Sequence, residues 1–323
     1  MTWRVLVSAP YMLTRLEQHM ETLAEHDIEI VVADVRERLG EEQLLKLVSN
    51  IDGAMCGDDQ YTERVMKAAP RLRVISKWGT GIDSIDQEAA GRLGIRVCNT
   101  PGAFADPVAD SVMSYVLAFA RQTPWMDRDV RSGIWKKRMG ISLRECTLGV
   151  IGVGAIGRSV VRRAAAFGMR LLGNDTADVP KPFVKAHGLE MMSLSDLLEI
   201  ADYVSLNCDL NPTSHHLIGA PELGVMKPTA YLINTARGPL VDEQALVEAL
   251  EGGGIAGAAL DVFELEPLPA ESPLRGLDNT MLAPHNANVS PVVWQRVDEN
   301  TIANLLQGLR EVERGPRDGD DVR

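Results

Sequence analysis

Short apolar runs recur along the chain, separated by longer stretches in which apolar positions follow helical spacing. Trp3–Ser8, Ile28–Ala33, Gly53–Cys56 and Leu72–Lys77 read as strands. Between them the pattern predicts a helical segment near Thr14–Glu25 and a helix over Glu63–Ala69 that is stopped by Pro70. Turn residues cluster at Asn99-Thr100-Pro101-Gly102 and interrupt the series. The helix that follows, Pro107 to Arg121, carries Ala, Val, Met and Tyr around much of its circumference. A helix of that kind packs on two sides; it reads as hinge and dimer contact together, with plain core packing as the alternative.

A second series begins at Thr147. Strand-like segments recur at Leu148–Ile151, Arg170–Asn174, Tyr203–Asn207, Tyr231–Asn234, Ala256–Asp261 and Thr280–Ala283, with helices such as Arg158–Phe167 and Glu243–Glu251 between them. Successive β-α-β units predict parallel sheets covered by helices on both faces. A last helix, Val292 to Leu309, comes after this series is complete and reads as returning to the first domain. The expected fold is therefore α/β, with two Rossmann-like doubly wound parallel-sheet domains separated by an active-site cleft. The first domain spans 1–99 and is completed by 291–323; the second spans 100–290. The polar stretch 315–321 is expected to fray.

Composition narrows the class. A chain of 323 residues exceeds one ordinary core, and 45% hydrophobic with 24% charged residues excludes a disordered chain. A net charge of −12 repels phosphate backbones and anionic lipid, so neither nucleic acid nor membrane is an expected partner. The apolar stretch Val112–Ala120 falls far short of the ~20 residues that a membrane span needs. Cys56, Cys98, Cys146 and Cys208 are widely separated and form no C-x-x-C pair, as expected for reduced thiols. With no signal-like segment before Val5, a cytoplasmic location is expected. His215-His216 has no acidic or cysteine neighbour in sequence, so no metal is expected.

The strongest chemical signal is Gly152-Val153-Gly154-Ala155-Ile156-Gly157, placed between a strand and a helix. Gly152 allows the tight turn, Gly154 lets the backbone approach a pyrophosphate, and Gly157 lets the helix pack close to the strand. The helix N-terminus then offers unpaired N–H groups to the phosphates. Asp175 ends the next strand, where a carboxylate accepts from the adenosine ribose hydroxyls and repels a 2′-phosphate. No Arg or Lys follows before Lys181, so NAD is favoured over NADP.

Three ionisable residues lie just after strands of the second domain: Arg237 in Asn234-Thr235-Ala236-Arg237-Gly238, Glu266 in Asp261-Val262-Phe263-Glu264-Leu265-Glu266-Pro267, and His285 in Ala283-Pro284-His285. Ligands of open α/β sheets collect at the carboxyl ends of strands. Hydride transfer to a carbonyl also requires a proton, which histidine can exchange near neutral pH. A carboxylate beside the histidine would favour the imidazolium, and arginine offers a fork to a substrate carboxylate.

Together, Thr-Ala-Arg-Gly, Ala-Leu-Asp-Val-Phe-Glu, Pro-His and the glycine motif resemble the D-isomer-specific 2-hydroxyacid dehydrogenases, near their phosphoglycerate dehydrogenase and hydroxypyruvate reductase branches. The likeness runs from about Ile75 to Asn304; earlier residues match only in pattern. It implies NAD-dependent interconversion of a 2-keto acid and a D-2-hydroxy acid, in a homodimer whose interface includes the Pro107–Arg121 helix. It further implies Arg237 as substrate-carboxylate anchor, Glu266 as the partner that raises the histidine pKa, and His285 as acid/base. Val108, Asp261, Thr235 and Ala236 would hold the nicotinamide end of the cofactor; Ala155, Ile156 and Cys208 would line the adenine side and pyrophosphate. Lys77, Trp78 and Gly79 open the loop that would receive the substrate.

Some positions depart from the family pattern. Asp209 replaces a usual proline and is read as bonding backbone or ribose, or as capping its loop. Asn286 and Asn288 replace an apolar residue and a glycine. The regulatory domain carried by some phosphoglycerate dehydrogenases is not expected here. The substrate candidates are 3-phosphoglycerate with its keto acid, and hydroxypyruvate with glyoxylate. An NAD-sensing corepressor and a phosphite dehydrogenase are the alternatives.

Overall fold

The computed structural model describes residues 2–313; the 315–321 stretch lies outside them. The chain divides into two compact units. One runs up to Ala103 and resumes at Ser290, and the other spans Phe104–Val289.

The first unit is built on a five-stranded parallel sheet: β1 (Trp3–Val7), β2 (Ile28–Val32), β3 (Gly53–Cys56), β4 (Val74–Lys77) and β5 (Arg96–Cys98), in the order β2-β1-β3-β4-β5. The central strands β3 and β4 are buried at every position, which explains their continuous apolar reading. Leu6, Ala54, Cys56 and Ile75 pack against Leu44, Val65 and Ala89 from the flanking helices. The last helix, Pro291–Glu313, joins this unit through Ser76, whose hydroxyl donates to the Thr301 carbonyl at 2.7 Å.

Two sequence expectations change here. The Thr14–Glu25 helix is three short pieces, Pro10–Leu13, a 3-10 turn at Leu16–His19 and Met20–Ala24. Thr14 Oγ1 donates back to the Tyr11 carbonyl at 2.8 Å and ends the first piece, as short hydroxyl side chains do when they compete for backbone groups. The edge strand β5 was hidden because it is half-exposed and opens with Arg96.

The second unit contains a seven-stranded parallel sheet rather than six: β6 (Thr147–Ile151), β7 (Arg170–Asn174), β8 (Leu189–Met191), β9 (Tyr203–Leu206), β10 (Tyr231–Asn234), β11 (Gly257–Leu260) and β12 (Thr280–Leu282). Their order is β12-β11-β10-β9-β6-β7-β8. The added strand, β8, is another short edge strand with two exposed residues. Side chains alternate between faces: Leu148, Val150, Tyr203 and Ile233 enter one core, and Ile151, Val204, Leu206 and Leu232 enter the other. The chain moves outward in opposite directions from β6 and β9, which creates a topological switch point at their carboxyl ends.

The long helix spans Ala105–Arg121 and buries Ala109, Val112, Met113, Val116 and Phe119 in a core of its own unit. Asp106 and Asp110 on its outer side pair with Arg163 of the helix Ala155–Ala166. Much of its apolar surface is therefore core packing. In the following arm, Trp135 and Met139 are 92% and 93% exposed.

Candidate active site

The glycine turn sits at the end of β6, and the helix Ala155–Ala166 opens directly behind it with Gly154 as its N-cap. Gly152 has φ +84°, and a Cβ there would lie 2.6 Å from the Cys208 backbone nitrogen. A Cβ on Gly157 would lie 2.0 Å from the Gly152 carbonyl oxygen, so only glycine lets the helix approach. Gly154 differs: nothing lies within 4 Å of a Cβ placed on it. Gly154 and Ala155 are exposed and Ile156 is partly so, which leaves first-turn N–H groups facing open space. Such a cradle fits a pyrophosphate.

Asp175 follows β7 and is bound to the turn itself. Its Oδ2 accepts the Val153 N–H at 2.6 Å and its Oδ1 accepts the Ala177 N–H at 2.8 Å. Cys208, at the exit of β9, packs beside the turn; burial first, then the carboxylates of Asp209 and Asp175, push its thiol up to about 11. Asp209 is exposed. The loop after it is capped instead by Asn211, whose Oδ1 accepts from the Thr213 and Ser214 backbone.

At the other end of the sheet edge, β10, β11 and β12 deliver the Arg237, Glu266 and His285 loops side by side. Asn234, buried at the end of β10, shapes the first: its Nδ2 donates to the Arg237 carbonyl at 2.8 Å and its Oδ1 accepts from Ala236 N–H at 3.1 Å. Thr235 is buried, with no hydrogen-bond partner for its hydroxyl among the described residues. A Cβ on Gly238 would come within 1.9 Å of the Phe263 carbonyl carbon, so the Arg237 loop lies directly against the Glu266 loop.

Asp261 organises the His285 segment. Its carbonyl accepts the His285 N–H at 2.7 Å, and its carboxylate accepts the N–H groups of Asn286 and Ala287, both at 2.8 Å. Burial raises its pKa above the ordinary carboxylate value, against the opposing pull of those two N–H groups and His285. These contacts hold His285 at φ +51°. The ring Nδ1 lies 2.9 Å from Glu266 Oε2, while Glu266 Oε1 accepts the Phe263 N–H at 2.9 Å. Val108 is buried near the start of the long helix of this unit.

In the first unit, Lys77, Trp78 and Gly79 follow β4. Lys77 and Trp78 are buried and Gly79 has φ +130°. The Lys77 ammonium lies 3.1 Å from Asp58 and donates to the Trp78 carbonyl at 3.2 Å. The loop is pinned by Thr100 N–H donating to the Gly79 carbonyl and by Asn99 Nδ2 donating to the Thr80 carbonyl.

Residues 113–287 match the family model for the D-isomer-specific 2-hydroxyacid dehydrogenase NAD-binding domain. The chain belongs to this family. It is similar to a glyoxylate reductase of Korarchaeum cryptofilum, 42% identical over 254 residues covering 77% of this chain and 76% of that protein. It is also similar to a D-3-phosphoglycerate dehydrogenase of Methanocaldococcus jannaschii, 41% identical over 80% of this chain and 49% of the other. The crystal structure of D-lactate dehydrogenase from Aquifex aeolicus, complexed with NAD and lactic acid, superposes with a TM-score of 0.83 at 26% identity, covering 97% of this chain and 98% of that one. This 2-hydroxyacid dehydrogenase is thus an NAD-dependent oxidoreductase that interconverts 2-keto acids and D-2-hydroxy acids.

Sequence reasoning missed the roles of Asn234 and of the backbone N–H groups of Asn286 and Ala287 in shaping these loops. A buried asparagine closing an apolar strand was the available signal for the first. His216 acquires an acid from far along the chain, Glu264 at 2.7 Å. Among the described residues, no group of three potential ligands could hold a metal ion, and no helix is long and apolar enough to cross a membrane.

Proposed function

We propose that His285 is the acid/base, Glu266 the carboxylate that orients and charges it, and Arg237 the anchor for the substrate carboxylate. The observation that carries this reading is the 2.9 Å contact between His285 Nδ1 and a Glu266 whose second oxygen is held by the Phe263 N–H. With Nδ1 committed, Nε2 gives a proton to the substrate oxygen during reduction and takes it back during oxidation. The bound cofactor supplies or accepts the hydride. Gly154–Gly157 receive the pyrophosphate, Asp175 and Cys208 flank the adenosine, and Val108, Thr235, Ala236 and Asp261 border the nicotinamide. The N–H groups of Gly79, Thr80 and Gly81 are assigned to the substrate carboxylate, since that of Trp78 donates to the Cys56 carbonyl at 2.8 Å.

The substrate is a 2-keto acid without a phosphate group. Lys77 already has Asp58 as its partner, which speaks against a role in binding a phosphorylated acid. The enzyme works in the cytoplasm as a homodimer, and the arm bearing Trp135 and Met139 supplies the apolar contact that a second copy covers. Trp135→Glu is expected to lower the sedimentation coefficient to that of a monomer.

The deciding experiment is a panel of glyoxylate, pyruvate, hydroxypyruvate and 3-phosphohydroxypyruvate with NADH and with NADPH. Turnover is expected with NADH. In Arg237→Ala and His285→Ala turnover should fall by about 100-fold or more while NADH binding persists. Near-normal turnover in either variant would sink the assigned roles.

A further inference from the structure

Trp78 is held by a buried acid from the far end of its unit. Its indole N–H donates to Asp298 Oδ1 at 2.6 Å, and Asp298 lies on the helix Pro291–Glu313 with no solvent exposure. Arg15 grips the same carboxylate with two bonds, Nε to Oδ2 at 2.8 Å and Nη2 to Oδ1 at 2.9 Å. His19 Nε2 approaches Oδ2 at 3.5 Å. A carboxylate in a two-pronged arginine bond has a fixed orientation, so the indole it holds is fixed too.

This carboxylate organises an aromatic wall. Trp294 stands edge-on to Trp78 with ring centroids 5.7 Å apart. The Tyr11 ring lies 5.7 Å from Trp78 and 5.1 Å from Trp294. Arg15 covers Trp294, 4.9 Å from its ring centroid. Three separated segments thus contribute one aromatic cluster at the loop that follows β4, in which Trp78 is buried and Tyr11 and Trp294 are partly exposed. Arg15 and Lys77 are each already paired with a carboxylate, and His19 faces Asp298.

We propose that Asp298 is a positioning residue for Trp78, and that the wall of Tyr11, Trp78 and Trp294 selects 2-oxo acids with an uncharged apolar side chain over phosphorylated ones. The inference rests on the assignment of the Gly79–Gly81 N–H groups to the substrate carboxylate. In a 2-oxo acid the side chain begins two bonds from the carboxylate carbon, so a carboxylate held by this loop brings the side chain to the wall. Aromatic surface favours apolar groups, and a phosphate there would lose hydration without finding an unpaired cation.

The test is calorimetric binding of pyruvate, phenylpyruvate and 3-phosphohydroxypyruvate to the protein saturated with NAD+, where no reduction can occur. Phenylpyruvate is expected to bind at least about tenfold more tightly than the phosphorylated acid. In Asp298→Asn its Kd should rise about tenfold relative to that of pyruvate, while the Kd for NAD+ moves less than about twofold. Trp78→Phe keeps a ring but removes the N–H, and should reproduce that shift even if the Asp298 variant does not fold. Equal binding of phenylpyruvate and the phosphorylated acid would overturn the proposal, as would an unchanged phenylpyruvate-to-pyruvate ratio in the variants. Selective binding without turnover of any 2-oxo acid would leave the wall standing and remove the catalytic assignment. Turnover without selectivity would do the reverse, and failure of every acid to bind would overturn both.

Discussion

Glu266 and His285 are joined so that neither can turn alone. One Glu266 oxygen meets His285 Nδ1 at 2.9 Å, and the other accepts the Phe263 N–H at the same distance. The carboxylate is fixed by its own loop, and the imidazole by the carboxylate. The Asp261 carbonyl holds the histidine backbone at 2.7 Å. The acid/base role proposed for His285 needs this restraint, because proton transfer is efficient only in a narrow range of distance and angle.

Glu266→Gln tests charge separately from geometry. The amide can still pair with Nδ1 but no longer favours the protonated ring. Keto-acid reduction needs that proton, so its rate should begin to fall at a lower pH than in the parent enzyme. Pre-steady-state reduction across pH measures this shift. An unmoved profile would mean that Glu266 acts by position alone.

The glycine turn offers a matched pair of variants. Gly157→Ala drives a Cβ to 2.0 Å from the Gly152 carbonyl oxygen, so it should destabilise the unit by about 2 kcal/mol or more. Gly154→Ala meets nothing within 4 Å and should melt near the parent temperature. Its Cβ nonetheless enters the space assigned to the pyrophosphate, so NADH affinity should drop about tenfold or more. Thermal melts and NADH fluorescence titrations separate the two effects.

Cys208 should be a slow nucleophile despite its place beside the cofactor turn. With the thiol pushed up to about 11, only about one molecule in a thousand carries thiolate at pH 8. Alkylation by iodoacetamide should therefore be slow at pH 8, rise about tenfold per pH unit, and be blocked by NADH. Mass spectrometry of the modified peptide gives the rate. Fast labelling at pH 8 would contradict the buried setting.

Asp261 gives a stability test with a defined sign. Its pKa is raised in the folded protein, so between the ordinary carboxylate value of 3.8 and the folded value the unfolded chain has lost a proton that the folded one keeps. Its stabilising contribution is complete below that window and is lost as pH rises through it. Asp261→Asn should flatten this decline, seen as a smaller change in urea midpoint across the window. It should also weaken the hold on Asn286 and Ala287 and lower turnover.

The prominent features of the site were local enough to read along the chain. The glycine turn, Asp175, Arg237, Glu266 and His285 all lie within a few residues of a strand end, where the apolar run itself marks the boundary. The edge strands β5 and β8 escaped notice because a half-exposed strand needs no continuous apolar run. Asn234 looked like a strand residue and Asp261 was read only as bordering the cofactor; the hold each has on neighbouring loops depends on backbone groups that the fold brings beside them.

By itself the sequence determined the α/β alternation, the cofactor turn and the three ionisable residues, since strand burial, tight turns and helix starts are set by neighbours in the chain. Tertiary structure alone decided that Glu266 meets His285 across 19 residues, that Asp58 neutralises Lys77, and that Asp298 holds both Arg15 and Trp78 across 283 and 220 residues. The physical reason is range. Hydrogen bonds and ion pairs act over a few ångströms of space, and only the packing of sheets and helices determines which distant residues come that close.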